Sequence, residues 1–354
     1  MIKNHNNFLN FAFHLAEINL GKTKLNPSVG SVVVKNGEII SSAVTSPNGR
    51  PHSEFNSLNK LKKCSGATLY TTLEPCVHKG KTPPCVSIII KKKIKKVFYA
   101  FEDPDTRTYK KAKKVLNSKG IKTKLIHNKK YNKFYKSYFL NKKFFIPFIS
   151  AKIAISKDYQ TINKTNKWIT NYRSRKIAHL LRNNHDCILS TSKSINLDDS
   201  LLNCRIDGLN NYKPDLFIID LDLKLKKNLL LNKLIKKRKT YLITLSNNLK
   251  KKQFLKKKGF KMIKIKSLKN KNDFTSLFKN IYKMGYSRLL VESGLTFMNS
   301  LIKNKIINNL YIFKSNKKLG KDGKNNSSLN YIKKLKRKLI NVNLNDDKLY
   351  KVDF

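Results

Sequence analysis

His52, Glu54, Cys76 and Cys85 have the residue types and spacing for one particular reaction. A catalytic zinc ion takes three protein ligands and keeps a fourth position for water, and one histidine with two cysteines supplies that number. Zinc lowers the pKa of the water it holds towards neutrality, so a nucleophile is available at ordinary pH. A carboxylate outside the ligand set must then carry protons from that water to a leaving nitrogen. Glu54, two residues beyond His52 at a helix start, is placed for that work. His-x-Glu followed by Pro-Cys and a second cysteine is the zinc-deaminase signature, although the second cysteine comes nine residues on rather than three, so the expected chemistry is hydrolytic removal of an amino group. Plainer readings stand beside it. Cysteines are often buried hydrophobes, His-x-Glu is a common tripeptide, and Cys64 and His78 are further candidate ligands or neither.

These residues need a frame. The alternation of apolar residues and turn signals predicts strands over residues 31–34 and 38–44, joined by Asn36-Gly37, a strong hairpin signal. His52-Ser53-Glu54 opens a helical stretch ending near Lys63. A strand over 68–72 leads into a Pro/Gly/Cys-rich turn, and Pro84 starts a helix to about Lys92. Further strands are expected over 96–100 and 122–126, with a helix over 109–118 between them. A second unit opens with a strand over 147–155 and a helix capped by Asn171. Strands follow over 186–190, 215–220, 241–245 and 288–292, with helices over 274–284 and 296–303. Strands alternating with helices imply α/β layers. The polar stretch 320–328 reads as a mobile loop. Two domains are expected, 1–144 and 145–354.

Composition narrows the classes. The 354 residues are 40% apolar, enough for a core in each domain. Phe144 to Ile155, the most apolar stretch, already contains Pro147, Ser150 and Lys152, so no membrane span is expected. Residues 8–20 carry apolar side chains at helical spacing, an amphipathic first helix rather than a signal peptide. Five cysteines without a secretory signal argue against a disulfide scaffold, and the cytoplasm is the expected compartment. Net charge is +55, which could attract nucleic acid. Only nine basic residues are arginine, however, and the lysines are spread along a chain also rich in Asn and Ile. That pattern fits A/T-rich codon bias better than a nucleic-acid surface, and the expected partner is a small molecule.

The residues from Thr72 to Cys85 read T-L-E-P-C-V-H-K-G-K-T-P-P-C. They resemble the T-L-E-P-C-x-H-x-G-[RK]-T-P-P-C motif of the bifunctional riboflavin-biosynthesis deaminase–reductases. Eight residues separate the two cysteines, against the two usual in nucleoside and tRNA deaminases. Asn26-Pro27-Ser28-Val29-Gly30 resembles the family's N-P-x-V-G. Further on, Lys152, Ala154, Ser156 and Asp158, then Trp168-Ile169-Thr170, Asp198-Asp199 through Leu202 and Arg205, and Val291-Glu292-Ser293-Gly294 resemble its reductase motifs.

The resemblance implies a three-layer, cytidine-deaminase-like N-terminal domain and a dihydrofolate-reductase-like C-terminal domain. It implies Zn²⁺ on His52, Cys76 and Cys85, Glu54 as the proton carrier, and Asn26 and Lys81 against a phosphorylated pyrimidine. It implies NADPH against Ala154, Trp168, Asp198 and Gly294. Asn166, Arg182, Leu202, Arg205 and Glu292 would hold the substrate to be reduced. Without the resemblance, Asn26 reads equally as a turn former before Pro27, and Trp168, the single tryptophan, as a core residue. The resemblance also implies a possible homo-oligomer.

The reductase half departs from the pattern. Tyr159 stands where the family has Gly after Asp, Ser200 where it has Pro, Asn166 and Asn171 where it prefers Ser, and Leu216 where it has Arg. Alternative readings are a deaminase with a decayed reductase, a nucleoside or tRNA deaminase with a basic extension, or a non-catalytic basic binding protein.

Overall fold

A computed structural model describes residues 2–127, 129–209 and 212–354, with side chains from residue 5 onward. The chain divides into two compact units, Met1–Phe145 and Ile146–Phe354. Phe145, expected to head the second domain, closes the first. It sits in the left-handed region (φ 56°) at the end of a helix and donates its N–H to Asn141 O.

In the first unit, helix α1 (Ile2–Ile18) buries Leu9, Ala12, Phe13 and Ala16. Strands β1 (Gly30–Lys35) and β2 (Glu38–Val44) form the hairpin, with Asn36 and Gly37 both at positive φ, the turn that suits strand twist. Then come α2 (Ser53–Asn59), β3 (Thr68–Thr71), α3 (Cys85–Lys91), β4 (Lys96–Tyr99), α4 (Ala112–Asn117), β5 (Lys122–Leu125) and α5 (Lys136–Phe144). The sheet order is β2-β1-β3-β4-β5, with β3, β4 and β5 parallel. Successive strand residues face opposite ways. Val32, Tyr70 and Phe98 therefore pack with Leu9, Phe13 and Tyr135 on one face. Val33, Leu69 and Val97 pack with Leu58, Ile89 and Leu116 on the other. Two cores on two faces make three layers. Gly30 of the N-P-x-V-G motif is required by this packing, because a Cβ there would lie 1.8 Å from Ala12 O.

The second unit runs β6 (Phe148–Ile155), β7 (Ile162–Asn163), α6 (Tyr172–Asn183), β8 (Cys187–Thr191), α7 (Ser192–Asp198), β9 (Asp215–Ile219), β10 (Thr240–Thr244), α8 (Leu249–Lys257), β11 (Lys261–Lys264), α9 (Lys271–Lys283), β12 (Arg288–Glu292), α10 (Leu295–Lys303), β13 (Asn309–Lys314), β14 (Gly323–Lys324), α11 (Asn330–Lys333), β15 (Lys338–Ile340) and β16 (Lys348–Asp353). Its nine-stranded sheet has the order β11-β10-β9-β8-β12-β6-β13-β16-β15. The strands from β11 through β13 are parallel, and β16 and β15 close one edge antiparallel. In such sheets ligands bind beyond the carboxyl ends of the strands, where β6, β8 and β12 end on Ile155, Thr191 and Glu292. Asn171 caps α6 through a bond from Ser174 N.

One expectation changes here. Residues 320–328 are not a bare loop. Gly323 and Lys324 pair with β7, Asn325 Oδ1 accepts from Thr161 N and Oγ1, and Asp158 accepts the N–H groups of Leu319 and Gly320. Side-chain bonds to backbone order a segment whose polar composition suggests mobility. Tyr159 stands at φ 66°, the conformation that favours glycine. Its ring lies under the cationic groups of Lys314, Lys333 and Arg337, contacts that offset the strain.

Candidate active sites

His52 precedes α2, Cys76 lies in the turn after β3, and Cys85 opens α3 behind Pro84. Their ligand atoms all lie within 4.8 Å of one another. His52 Nδ1 is 3.3 Å from Cys85 Sγ and 3.6 Å from Cys76 Sγ. The Cys85 thiol, with the backbone N–H of Cys85 (3.3 Å to the sulfur), holds Cys76 well below the usual thiol range, while the shared proton keeps Cys85 high. One imidazole nitrogen and a thiolate–thiol pair form the donor set of a soft tetrahedral cation, so these residues fit zinc. Cys64 and His78 lie outside the set. Cys64 packs in the core near Lys92 O, and His78 Nδ1 faces Thr108 Oγ1.

Glu54 is 4% exposed. Burial raises its pKa, the charge of Cys76 adds to this, and His52 opposes it. One oxygen accepts from Ser53 Oγ (3.1 Å), and that hydroxyl meets Ser31 Oγ on β1 at 2.7 Å. Two hydroxyls thus fix the carboxylate rotamer from the sheet. Ser53→Ala is expected to lower deaminase kcat about tenfold with KM nearly unchanged, read from initial rates.

The turn carrying Cys76 is clamped by Glu74. Its buried carboxylate accepts from the N–H groups of Asp103 (3.2 Å), Lys110 (3.1 Å) and Ala112 (3.0 Å). Glu74→Ala orphans three donors. The expected outcome is a loss of about 3 kcal/mol in unfolding free energy, with faster zinc loss to a chelator, measured by denaturation and a dye-release assay.

Asn26 is a brace. Its Nδ2 donates to Gly49 O (2.8 Å), tying the 23–26 turn to the segment that leads into His52. Lys81 is exposed. Arg50 is a residue that the sequence reasoning missed. Its Nη1 reaches Thr82 Oγ1 at 2.5 Å, beside Lys81, so a second cation borders that loop. Its rarity as one of nine arginines, two residues before His52, is the one signal the sequence offers.

In the second unit Arg182 of α6 makes a bidentate pair with Glu292 at the end of β12, 2.5 and 2.9 Å. Lys152 Nζ, which the sequence places in a motif without a role, stands 3.9 Å from the same carboxylate. Burial would raise Glu292, but the Arg182 guanidinium and Lys152 overturn that and hold it at about 2. Arg182 Nη1 also donates to Asn203 O (3.0 Å), and Asn203 Oδ1 accepts from Arg205 Nη1 (2.9 Å). Arg182, Arg205 and Glu292 therefore form one connected group. Asp198 ends α7, its pKa raised by burial and opposed by Lys167 and Lys152. Leu202 is 5% exposed inside an apolar cluster, so any substrate contact comes from its backbone. Asn166 and Trp168 lie on one turn, the Trp168 N–H on Asn166 Oδ1 (3.0 Å). Trp168 is 47% exposed with Arg175 over its ring, which removes the reading as a core residue. Ala154 is half-buried on β6. Gly294 caps α10 and gives its N–H to Ser194 Oγ (2.9 Å), while the buried Ser293 hydroxyl beside it lacks a partner among the described residues. A free hydroxyl and a helix N-terminus at the carboxyl end of β12 fit a cofactor phosphate.

Fold and sites define a class: a zinc-dependent hydrolytic deaminase joined to an NADPH-dependent reductase. Residues 2–101 match the cytidine and deoxycytidylate deaminase zinc-binding region, and residues 147–352 the RibD C-terminal domain. The chain belongs to the RibD family of riboflavin biosynthesis proteins. It is 32% identical over 322 residues to riboflavin biosynthesis protein RibD of Aquifex aeolicus (strain VF5), covering 89% of this chain and 87% of that one. A diaminohydroxyphosphoribosylaminopyrimidine deaminase/5-amino-6-(5-phosphoribosylamino)uracil reductase from Thermotoga maritima superimposes with TM-score 0.82 and 25% identity over 99% of both chains. Acinetobacter baumannii RibD, at 24% identity, shares the fold with TM-score 0.85 over 99% of both chains. Riboflavin biosynthesis, by deamination and reduction, is the chain's function.

Proposed function

We propose that the first unit removes the 2-amino group of 2,5-diamino-6-(5-phosphoribosylamino)pyrimidin-4(3H)-one, and that the second reduces the ribosyl group to give 5-amino-6-(5-phosphoribitylamino)uracil. The observation that carries this reading is the His52, Cys76 and Cys85 cluster with a buried carboxylate two residues from the histidine. Zinc, when bound there, supplies Lewis acidity that makes water nucleophilic near neutral pH. Glu54 takes one proton from the attacking water and passes it to the ring nitrogen, then takes the proton of the added hydroxyl and passes it to the amine, so ammonia leaves as the ring carbonyl forms. Its burial makes it basic enough to accept and then release. Asn26 braces the wall of the site, and Lys81 with Arg50 offers cations to the phosphate.

In the second unit NADPH supplies the hydride when bound. Gly294 and the Ser293 hydroxyl border its phosphates, and Ala154, Trp168 and Asp198 its pocket. Arg182 and Arg205 present guanidinium groups to the phosphorylated substrate, with Asn166 and the Leu202 backbone beside them. Glu292, ionised at neutral pH, holds Arg182 and Lys152 in place. The cytoplasm suits five free cysteines, and a small phosphorylated pyrimidine rather than nucleic acid is the partner.

The test is mass-spectrometric product analysis of the zinc-loaded chain with the diaminopyrimidine and NADPH. The ribitylaminouracil phosphate is the expected product. Arrest at the ribosylaminouracil phosphate would leave a deaminase alone, and unchanged substrate would overturn the assignment.

A further inference from the structure

The segment after α7 carries Leu202 and Arg205, yet neither a strand nor a helix holds it between Asp199 and Pro214 among the described residues. Its backbone is bent sharply, with Asp199 at φ 45° and Leu202 at φ 47°. A leucine in the left-handed region is strained and persists only where its surroundings fix it. The group that does so is Arg238, in the turn before β10. Arg238 is 7% exposed and forms no ion pair among the described residues. Its Nη2 donates to Leu201 O at 2.6 Å, and its Nη1 to Leu202 O at 2.5 Å and to Pro214 O at 3.3 Å. One planar guanidinium thus grips both carbonyls around the strained residue and the far end of the same segment. The next residue is Asn203, which takes Arg182 on its carbonyl and Arg205 on its side chain. His179, at 2.9 Å from Asn203 O and 3.3 Å from Arg205 N, completes the anchorage.

We propose that Arg238 is a positioning residue of the reductase: by holding the carbonyls of Leu201, Leu202 and Pro214, it sets Asn203 and through it Arg205 for the phosphorylated substrate. Burying this cation costs desolvation, which its donors to three carbonyls of one irregular segment offset, so the path of that segment depends on this one guanidinium. A planar fork of donors is what the task of fixing several backbone acceptors at once requires. The inference rests on the reading of Arg205 as a substrate ligand.

The test uses the full chain, zinc-loaded, with NADPH and the ribosylaminouracil phosphate as varied substrate. Lysine keeps the charge and loses the fork, so Arg238→Lys is expected to raise the reductase KM about tenfold, with kcat changed by less than about threefold. Arg205→Ala is expected to raise KM as well, and the double variant no further than Arg205→Ala alone, because one residue acts through the other. Arg238→Ala, which removes the guanidinium outright, should recover its KM when guanidinium is added at low concentration. Unchanged KM in Arg238→Lys, or no recovery in Arg238→Ala, overturns the proposal. So does a double variant whose effects multiply while Arg205→Ala alone raises KM. An unchanged KM in Arg205→Ala instead overturns the substrate reading, and the proposed route with it.

Discussion

Glu54→Gln is expected to lower deaminase kcat by about a thousandfold, the range of general acid–base catalysis by one positioned group. Zinc should stay at one ion per chain, because Glu54 lies outside the cluster of His52, Cys76 and Cys85. Reductase turnover on the ribosylaminouracil phosphate should be unchanged, since its residues belong to the other unit. Glutamine keeps the volume and can still accept from Ser53, so the loss isolates proton transfer from packing. The alternative is that Glu54 only shapes the pocket. It predicts a near-normal kcat with a raised KM. Metal analysis and two separate product assays on one preparation decide between them.

Much of this site is legible in the order of the residues alone. The cysteine ligands are announced by proline: Pro75 precedes Cys76 and Pro84 starts the helix of Cys85, so the local turn chemistry and the metal chemistry coincide along the chain. The hairpin at Asn36-Gly37 and the strands over 38–44 and 288–292 follow from local pattern for the same reason. What local pattern does not show is held by distant partners. Ser31 and Ser53 meet across 22 residues, and their serine character says nothing until β1 and α2 are side by side. Glu292 and Arg182 are 110 residues apart, and Lys152 joins them only because β6 and β12 are neighbours in the sheet. Helix α5 and strands β13, β15 and β16 are elements that the sequence does not announce. Lysine and asparagine flank or interrupt those stretches, and apolar residues such as Leu310, Ile312, Leu349 and Val352 come in runs too short to define an element before pairing between strands buries them. Arg238 is the extreme case: its partners are backbone carbonyls, and no residue type signals a carbonyl.

The second large effect is expected at Glu292. Glu292→Gln leaves Arg182 and Lys152 as buried cations without their counter-charge. Breaking a buried pair from one side costs about 4 kcal/mol. For a unit of this size that is a fall of about 10 °C in melting temperature, visible by calorimetry as a shift of the second unit's transition. The pH dependence carries its own signature. Glu292 is depressed to about 2 in the fold, so its contribution of about 3 kcal/mol is fully present above the ordinary carboxylate pKa. It is lost as pH falls through that value towards about 2. The Gln variant should lack this acid-side loss and give a flatter stability profile below about pH 4.5. Stability and function then separate. Replacing all three charged groups together, Lys152→Met with Arg182→Met and Glu292→Leu, should recover much of the lost stability, because an apolar trio needs no desolvation. Reduction should be abolished in this variant, because the guanidinium that holds Asn203 O, and that we propose meets the phosphorylated substrate, has gone. A triple variant that regained both stability and reductase turnover would show that the cluster serves only the fold, and the substrate assignment of Arg182 would fall.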